Sequence, residues 1–327
     1  MDRFFKMLLI WIGLILILAF AVDYVVTAGL RKTDIRKYAV WNDIYASKAN
    51  AELLVMGSSE TWTGYSTYIL DSMLGVNSYN IAIDGHGFKY QKLRYETYRR
   101  FNDKPKTLII NLDIPGSLGA NEGYGYEREQ FFPFICDRGL IDQVASDKQI
   151  TFFDRYLPCY RYFGYREDVE NGIASFFGKG TFNDGNLHKG YRGDQLEWTT
   201  ASLSLDSIFS APTKMADDLD VFVRERKAEG INVILVEFPE YYKLRGKFSN
   251  LEEVEGIFRS VAIRNDVPLL DYSYASICYD TLFYYNSSHL NKRGAEAFTK
   301  LLCHDLDSLM INSRTNILSY VYSNRIQ

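Results

Sequence analysis

The stretch Leu53-Leu54-Val55-Met56-Gly57-Ser58-Ser59-Glu60 decides the fold. Four apolar residues predict a short buried strand, and the glycine and serines after them predict a sharp turn into a helix. A serine at such a turn points its hydroxyl out of the sheet and towards the positive end of the helix. Ser59 is therefore a candidate nucleophile. The structural alternative is a serine that only caps its helix.

The rest of the chain alternates strand and helix patterns. Further strands are predicted at residues 77–83, 107–113, 233–238 and 268–271, and helices at 89–101, 213–227 and 251–265. A last helix is predicted to be capped by Asn291 and to end at about Met310. Strands separated by helices pair in parallel, with helices on both faces of the sheet. The predicted fold is thus α/β, with an open three-layer parallel sheet. In such sheets ligands bind beyond the carboxyl ends of the strands.

A second motif, Asn286-Ser287-Ser288-His289-Leu290-Asn291, comes just before the last predicted helix. Ser59 and His289 both follow predicted strands, so the element order brings both residues to the same edge of the sheet. His289 is therefore a candidate general base for the Ser59 hydroxyl. A histidine that only packs against its neighbours is the structural alternative.

Together the motifs resemble the SGNH/GDSL hydrolase superfamily. Its first block matches Gly57-Ser58-Ser59-Glu60, its second matches residues 80–85 (NIAIDG), and its last matches His289-Leu290-Asn291. The similarity is greatest to the membrane-anchored branch, which includes the teichoic-acid D-alanylation protein DltD and the alginate O-acetylation proteins. The resemblance covers about residues 50–113 and 213–310 and implies a flavodoxin-like sheet.

The resemblance also implies a role for each matching residue. Ser59 takes the position of the nucleophile, and His289 that of the general base. The backbone N–H groups of Ser59 and Gly85 take the positions of oxyanion donors. The family supplies a further oxyanion asparagine from its third block, for which Asn111 and Asp113 are doubtful counterparts.

Asn286 stands where the family has an aspartate, three residues before the histidine. An aspartate accepts a hydrogen bond from the imidazole and stabilises the imidazolium, whereas asparagine offers no charge. The equivalent change in a serine protease costs about 10⁴-fold in turnover. Asp271 and Asp280 are the acids near enough in sequence to be candidate replacements.

The chain begins with an apolar segment. Residues 7–22 carry no charge, and the apolar character resumes after Asp23 as far as Leu30. At ~1.5 Å per residue, a helix over residues 7–30 reaches roughly 36 Å, enough to cross a hydrocarbon core of about 30 Å. We expect a membrane anchor that places the catalytic domain outside the cytoplasm, in the periplasm or at the cell surface.

Two alternatives to an anchor remain open. Ala19-Phe20-Ala21 has the small-x-small form of a signal peptidase site, so the segment could be a cleaved signal. A buried core helix is the other. The basic residues also conflict with export, because those after the segment outnumber those before it and the positive-inside rule would then favour a cytoplasmic domain. They are Arg31, Lys32, Arg36 and Lys37 after it, against Arg3 and Lys6.

We divide the chain into an anchor or signal segment at residues 1–30 and an SGNH hydrolase-like domain at residues 31–327. An insertion at about 117–212 interrupts this domain and is rich in tyrosine and phenylalanine. Exposed aromatic rings there would suit stacking on sugars, whereas an aromatic core of a small subdomain is the alternative.

Composition argues against other classes of partner. The formal net charge is −4 and the pI is about 5.7, which gives no basic footprint for nucleic acid. Neither the histidines nor the cysteines show metal-ligand spacing, so we expect no metal and no organic cofactor. The residues concerned are Cys136, Cys159, Cys278, Cys303, His86, His188 and His304.

Two functions follow as hypotheses. The first is a membrane-anchored serine esterase or O-acyltransferase that acts on acyl groups of cell-surface glycans through an acyl-Ser59 intermediate. The second is a silenced relative that binds glycan or serves as a scaffold in an envelope polysaccharide machine. The expected partners are an acylated glycan or acyl donor and the membrane, with a membrane-bound acyltransferase left open.

Overall fold

The computed structural model describes residues 2–119, 127–146, 150–180, 187–199, 208–312 and 321–323. The chain forms two compact units. Residues 1–46 and 122–185 make the smaller one, and residues 47–121 and 186–327 make the larger one. Most of the aromatic insertion therefore belongs to the same compact unit as the N-terminal segment.

The helices follow one another as α1 (Asp2–Leu30), α2 (Arg36–Tyr45), α3 (Ser59–Gly64), α4 (Thr67–Leu74), α5 (Phe88–Phe101), α6 (Arg138–Ser146), α7 (Phe152–Tyr156), α8 (Arg166–Phe176), α9 (Ala216–Ala228), α10 (Tyr242–Arg245), α11 (Leu251–Asn265) and α12 (Lys292–Asn312). The strands are β1 (Leu53–Met56), β2 (Ser78–Asn80), β3 (Thr107–Leu112), β4 (Leu187–His188), β5 (Tyr191–Arg192), β6 (Asn232–Glu237), β7 (Leu269–Asp271) and β8 (Val321–Ser323). Short 3₁₀ turns occupy Arg128–Phe134, Tyr160–Tyr162, Ser276–Tyr279 and Thr281–Phe283.

A parallel sheet forms the centre of the larger unit. Its strand order is β2-β1-β3-β6-β7-β8, and every neighbouring pair is parallel. Strands β4 and β5 form a separate antiparallel pair. The predicted α/β class, with parallel strands and intervening helices, is confirmed.

Both faces of this sheet are buried. Val55, Ile109 and Ile234 share one apolar cluster with Phe298 of α12. Successive residues of a strand point to opposite faces. The intervening residues Leu54, Leu108 and Leu235 are fully buried as well. This two-sided burial explains why the strands are continuous apolar runs rather than alternating ones.

The element bounds differ from the predicted ones in small ways. The second strand is shorter than residues 77–83, yet its hydrogen bonding continues, because the Ile81 and Ile83 N–H groups donate to the carbonyl oxygens of Val55 (2.8 Å) and Gly57 (3.0 Å). The predicted cap of the last helix is confirmed, since this helix starts at Lys292 and the Asn291 side chain accepts from Gly294 N (3.0 Å).

The smaller unit is built around α1. This helix is apolar and long enough, from Arg3 to Leu30, to be a membrane anchor or a signal sequence. Its last turns pack on α8 at a close approach of two glycines, since a Cβ at Gly29 would lie 1.7 Å from the Gly172 carbonyl oxygen. In the interior of the same unit, the Trp41 indole N–H donates to Gln130 (2.9 Å).

The four cysteines all lie among the described residues, and none is in a disulfide. Cys278 and Cys303 are buried in the larger unit, Cys136 is exposed and Cys159 is partly buried.

Candidate active site

The candidate site begins at the end of β1, where the chain turns into α3. A Cβ at Gly57 would lie 1.9 Å from Thr61 Oγ1 and 2.9 Å from Asn111 Cβ, so this turn has room only for glycine. Ser58 continues in extended conformation, and Ser59 is the first residue of α3. The turn therefore fixes the direction in which the Ser59 side chain leaves the sheet.

The structure brings Ser59 and His289 together, although 230 residues separate them in the sequence. Ser59 Oγ lies 2.8 Å from His289 Nε2. His289 sits in a closed loop: Tyr285 N–H donates to the His289 carbonyl oxygen (3.1 Å), and Asn291 N–H donates to the Phe283 carbonyl oxygen (2.9 Å). The Tyr285 ring stacks on the imidazole at 5.4 Å between centroids. The loop thus holds the imidazole against the serine.

Asn286 orients the histidine. Its Oδ1 accepts from the backbone N–H groups of Ser288 (3.0 Å) and His289 (2.8 Å), which fixes the amide with its oxygen towards this loop. The same oxygen lies 3.0 Å from His289 Nδ1. An amide oxygen only accepts, so Nδ1 carries the proton and the lone pair of Nε2 faces the Ser59 hydroxyl. This is the tautomer that a general base needs.

The electrostatics of the site favour a neutral imidazole. Burial lowers the pKa of His289 to about 4, while the charge of Asp84 opposes this shift. The imidazole is therefore unprotonated at neutral pH and free to accept a proton. The imidazolium that would form has no carboxylate on Nδ1 to stabilise it, since Asn286 is neutral. Asp84, the residue directly before Gly85, is the carboxylate whose charge raises the pKa of His289 and so favours the imidazolium.

Gly85 lies in the turn that follows the second strand. Its φ of 66° is in the left-handed region, which favours glycine. The turn starts where Ile83 bonds to Gly57, next to the strand end that carries the serines. Asn80 braces the same region, because its side chain donates to the Thr61 carbonyl oxygen (2.8 Å) and accepts from Ala82 N (3.0 Å). A role for Gly85 N–H as an oxyanion donor stays a prediction.

Asn111 and Asp113 form hydrogen bonds around the turn that carries Ser58 and Ser59. Asn111 is fully buried, and its Oδ1 accepts from the Tyr65 hydroxyl (2.6 Å). Asp113 accepts from the Ser58 hydroxyl, from Ser117 Oγ (3.0 Å) and from Gly116 N (3.0 Å). The structure therefore joins Asp113 to Ser58, and not to Ser59.

The two candidate replacement acids hold turns of their own. Asp271 Oδ1 accepts from the backbone N–H and the hydroxyl of Ser273 (2.9 and 2.6 Å). Asp280 Oδ1 accepts from Leu282 N (2.9 Å). The hydrogen-bonded side-chain partners of His289 Nδ1 are instead Asn286 and Ser288, whose Oγ lies 2.8 Å away.

A buried acidic cluster lies next to the nucleophile turn, and no motif in the sequence pointed to it. Burial raises the pKa of Glu240 to about 7, and it raises the pKa of Glu60 well above its usual range. The charges of Glu240 and Asp113 raise the pKa of Glu60 further, and that of Asp113 also raises the pKa of Glu240, while Arg245 lowers the pKa of both glutamates. Glu60, which directly follows Ser59, is thereby favoured in its neutral form.

Among the residues that the structure describes, no group of three or more histidine, cysteine, aspartate or glutamate side chains could hold a metal ion. The site consists of a hydroxyl, an imidazole and an amide in one hydrogen-bonded line. Such a line can move a proton from the hydroxyl to the imidazole, as nucleophilic attack by a serine requires.

Comparisons with known proteins add little. No protein-family model matches the chain, and no curated protein matches it. Among solved structures, the chain is similar to a protein of Bacteroides fragilis described as a "putative acylhydrolase", with 12% identity over 79% of this chain and 87% of that chain. The TM-score is 0.35, so the likeness carries no argument about the activity of this chain.

Proposed function

We propose that the chain is a membrane-anchored serine esterase or O-acyltransferase of the SGNH type, with a three-layer flavodoxin-like sheet. The observation that carries this proposal is the hydrogen-bonded line from Asn286 through His289 to Ser59. A capping serine and a packing histidine would each account for one residue alone. They would not account for a lone pair of Nε2 aimed at the hydroxyl from a loop 230 residues away in sequence.

The geometry supports a two-step acyl transfer. Ser59 Oγ attacks the carbonyl carbon of an ester, and its proton passes to His289 Nε2. The oxygen of the tetrahedral intermediate takes up the negative charge, and the N–H groups of Ser59 and Gly85 stabilise it. The imidazolium then protonates the leaving alcohol, which leaves an acyl-Ser59. Water or a sugar hydroxyl, deprotonated by the same imidazole, completes hydrolysis or transfer.

The substrate class is proposed from the resemblance together with the apolar helix. An anchored domain outside the cytoplasm meets the acyl groups of cell-surface glycans. We therefore propose an acylated glycan or an acyl donor as its partner, with a membrane-bound acyltransferase as the protein that could supply the acyl group. The proposed location is periplasmic or at the cell surface.

A second candidate function rests on Asn286. Without a carboxylate at Nδ1, the imidazolium that forms when His289 takes the Ser59 proton is poorly stabilised. The low pKa of His289 likewise means that the imidazole holds a proton weakly. The alternative is a silenced site that binds glycan or serves as a scaffold. This alternative needs the fold but no turnover.

The test is hydrolysis of p-nitrophenyl acetate by the full chain in detergent. We expect slow hydrolysis that Ser59→Ala abolishes while the fold is kept. Ser287→Ala is the matched control, because it removes a hydroxyl from the same loop as His289 without touching the line. Equal activity in the wild type and Ser59→Ala would remove Ser59 from the mechanism, and absent turnover in both would favour the binding role.

A further inference from the structure

The smaller unit exposes a set of aromatic side chains. Their exposed fractions lie between 45% and 88%, and the residues are Phe152, Phe153, Tyr156, Tyr160, Phe163 and Phe177. We call these six residues the aromatic foot. In the same unit Phe131 and Phe132 are fully buried, so the unit has a core and the foot is additional to it. Four of the six are in ring contact, as Phe152–Phe153, Phe152–Tyr156 and Phe153–Tyr160. A cluster of exposed apolar side chains marks a site of interaction.

The part of the foot next to residues 159–161 is tied to one level of α1. Cys159 N–H donates to Asp23 Oδ1 (2.8 Å), and Cys159 Sγ–H donates to the Ala19 carbonyl oxygen (3.2 Å). Arg161 forms an ion pair with Asp23 and donates to Thr27 Oγ1 (3.0 Å). The segment between α7 and α8 is therefore held beside the part of α1 around Asp23.

Asp23 marks the place where the uncharged stretch of α1 ends. A bilayer core of about 30 Å takes ~20 helical residues, so a core that begins near Arg3 ends next to Asp23. The foot then lies at the membrane–water boundary, where aromatic side chains concentrate. The charged pair of Asp23 and Arg161 fits this boundary, whereas a core over residues 7–30 would place both charges in hydrocarbon at a high cost in free energy.

We propose that the aromatic foot inserts into the surface of the bilayer that α1 crosses. The partner of these side chains is thus lipid rather than sugar, and the insertion is a second membrane contact beside the helix. The proposal rests on the proposed membrane anchor and goes beyond it, because an anchor alone requires no contact between residues 152–177 and lipid. It predicts that the foot meets lipid in addition to α1.

The test is quenching of tryptophan fluorescence by brominated lipid in vesicles that contain the full chain. Phe163→Trp places a probe at the most exposed position of the foot. Gln143→Trp is the matched control, since Gln143 is exposed on α6. This helix follows Phe134, whose ring packs 5.2 Å from the Arg31 guanidinium beyond the end of α1. Native Trp11, identified by comparison with Trp11→Phe, reports the anchor itself.

The expected result is that lipid brominated near the headgroup end of its acyl chains removes about half or more of the fluorescence added by Phe163→Trp and little of that added by Gln143→Trp. Trp11 should be quenched by lipid brominated deep in the chain. Quenched Trp11 with unquenched Trp at position 163 would overturn the foot and leave the anchor standing, as would equal quenching at positions 163 and 143. Unquenched Trp11 would overturn both the anchor and the foot, whereas the esterase test would be unaffected.

Discussion

The candidate active site of the larger unit and the aromatic foot of the smaller unit differ in where their side chains find partners. In the site, half-buried polar side chains find their hydrogen-bond partners within the chain, as Ser59, His289 and Asn286 do. The foot leaves apolar groups in the open, with Phe163 88% exposed. A hydroxyl beside a ring nitrogen that can accept its proton has what nucleophilic attack by a serine requires. Exposed apolar groups on a well-packed unit indicate a partner outside the chain.

The largest expected effect is at the candidate active site, where His289 has the neutral amide of Asn286 as its partner instead of a carboxylate. Asn286→Asp should raise kcat/KM for p-nitrophenyl acetate by about 10²-fold or more, because the reverse change costs about 10⁴-fold in a serine protease. A carboxylate in place of the Asn286 amide still accepts the hydrogen bond from His289 Nδ1, and it adds a negative charge that stabilises the imidazolium. Steady-state kinetics of folded wild type and variant decide this, and an unchanged kcat/KM would show that Asn286 does not limit the site.

The same pair of proteins should differ in pH dependence. With the pKa of His289 lowered to about 4 by burial, the imidazole of the wild type stays neutral from neutral pH down to that value. Its kcat/KM should therefore fall only as the pH drops through about 4. The carboxylate of Asn286→Asp stabilises the imidazolium, so the acid limb should move to higher pH. Coincident limbs in the two pH profiles would contradict the assignment of His289 as the base.

The next effect concerns the attachment of the foot. Arg161→Met leaves Asp23 without its ion-pair partner, and both side chains are largely buried. Loss of one partner of a buried pair costs about 3–5 kcal/mol, so α8 and the end of α1 should exchange their amide hydrogens faster. The double variant Asp23→Asn with Arg161→Met should recover part of the protection. Unchanged exchange in Arg161→Met would show that the pair does not hold the segment.

A smaller effect is expected in the nucleophile turn. Gly57→Ala places a Cβ against Thr61 Oγ1 and Asn111 Cβ, and such overpacking costs roughly 1–3 kcal/mol. Gly256→Ala is the control, because a Cβ there meets nothing within 4 Å, and it should stabilise α11 by about 0.5–1 kcal/mol. Chemical denaturation of both variants measures the difference. Equal unfolding free energies would mean that the turn yields to the extra carbon.

The smallest effect distinguishes the foot from the core beside it. Phe163→Ser should change the free energy of unfolding by no more than about 0.5 kcal/mol, since the ring is exposed in the folded protein. Phe132→Ser, at a fully buried ring, should cost about 3 kcal/mol or more. Thermal unfolding in the same detergent compares them. A large loss of stability in Phe163→Ser would mean that the foot is part of the fold.

The sequence predicted the parts of the site that depend on local pattern. The apolar run before Gly57 predicts β1, and the element order brings Ser59 and His289 to one edge. Other parts depend on contacts between distant residues. Nothing in the pattern around Asn286 shows that its oxygen accepts from two backbone N–H groups and so orients the imidazole. The role of Asp84 beside His289 could have been suspected only from its place before Gly85.

The acidic cluster and the smaller unit were beyond prediction for the same reason. Glu60 and Glu240 are 180 residues apart, and only the folded sheet edge makes them neighbours. Likewise, Gly29 and Gly172 carry no signal of their own, and their close approach appears only when α8 packs on α1. The aromatic richness of the insertion was visible, but which rings are core and which are foot is decided by burial alone.

The most direct test of the account is covalent trapping of the nucleophile. The full chain is treated with a fluorophosphonate, which reacts with a serine only when a neighbouring base takes up its proton. Intact mass and peptide mapping should show one adduct on Ser59, absent from Ser59→Ala and formed faster in Asn286→Asp. An unmodified Ser59 in both the wild type and Asn286→Asp, with the fold intact, would contradict the claim that His289 activates it.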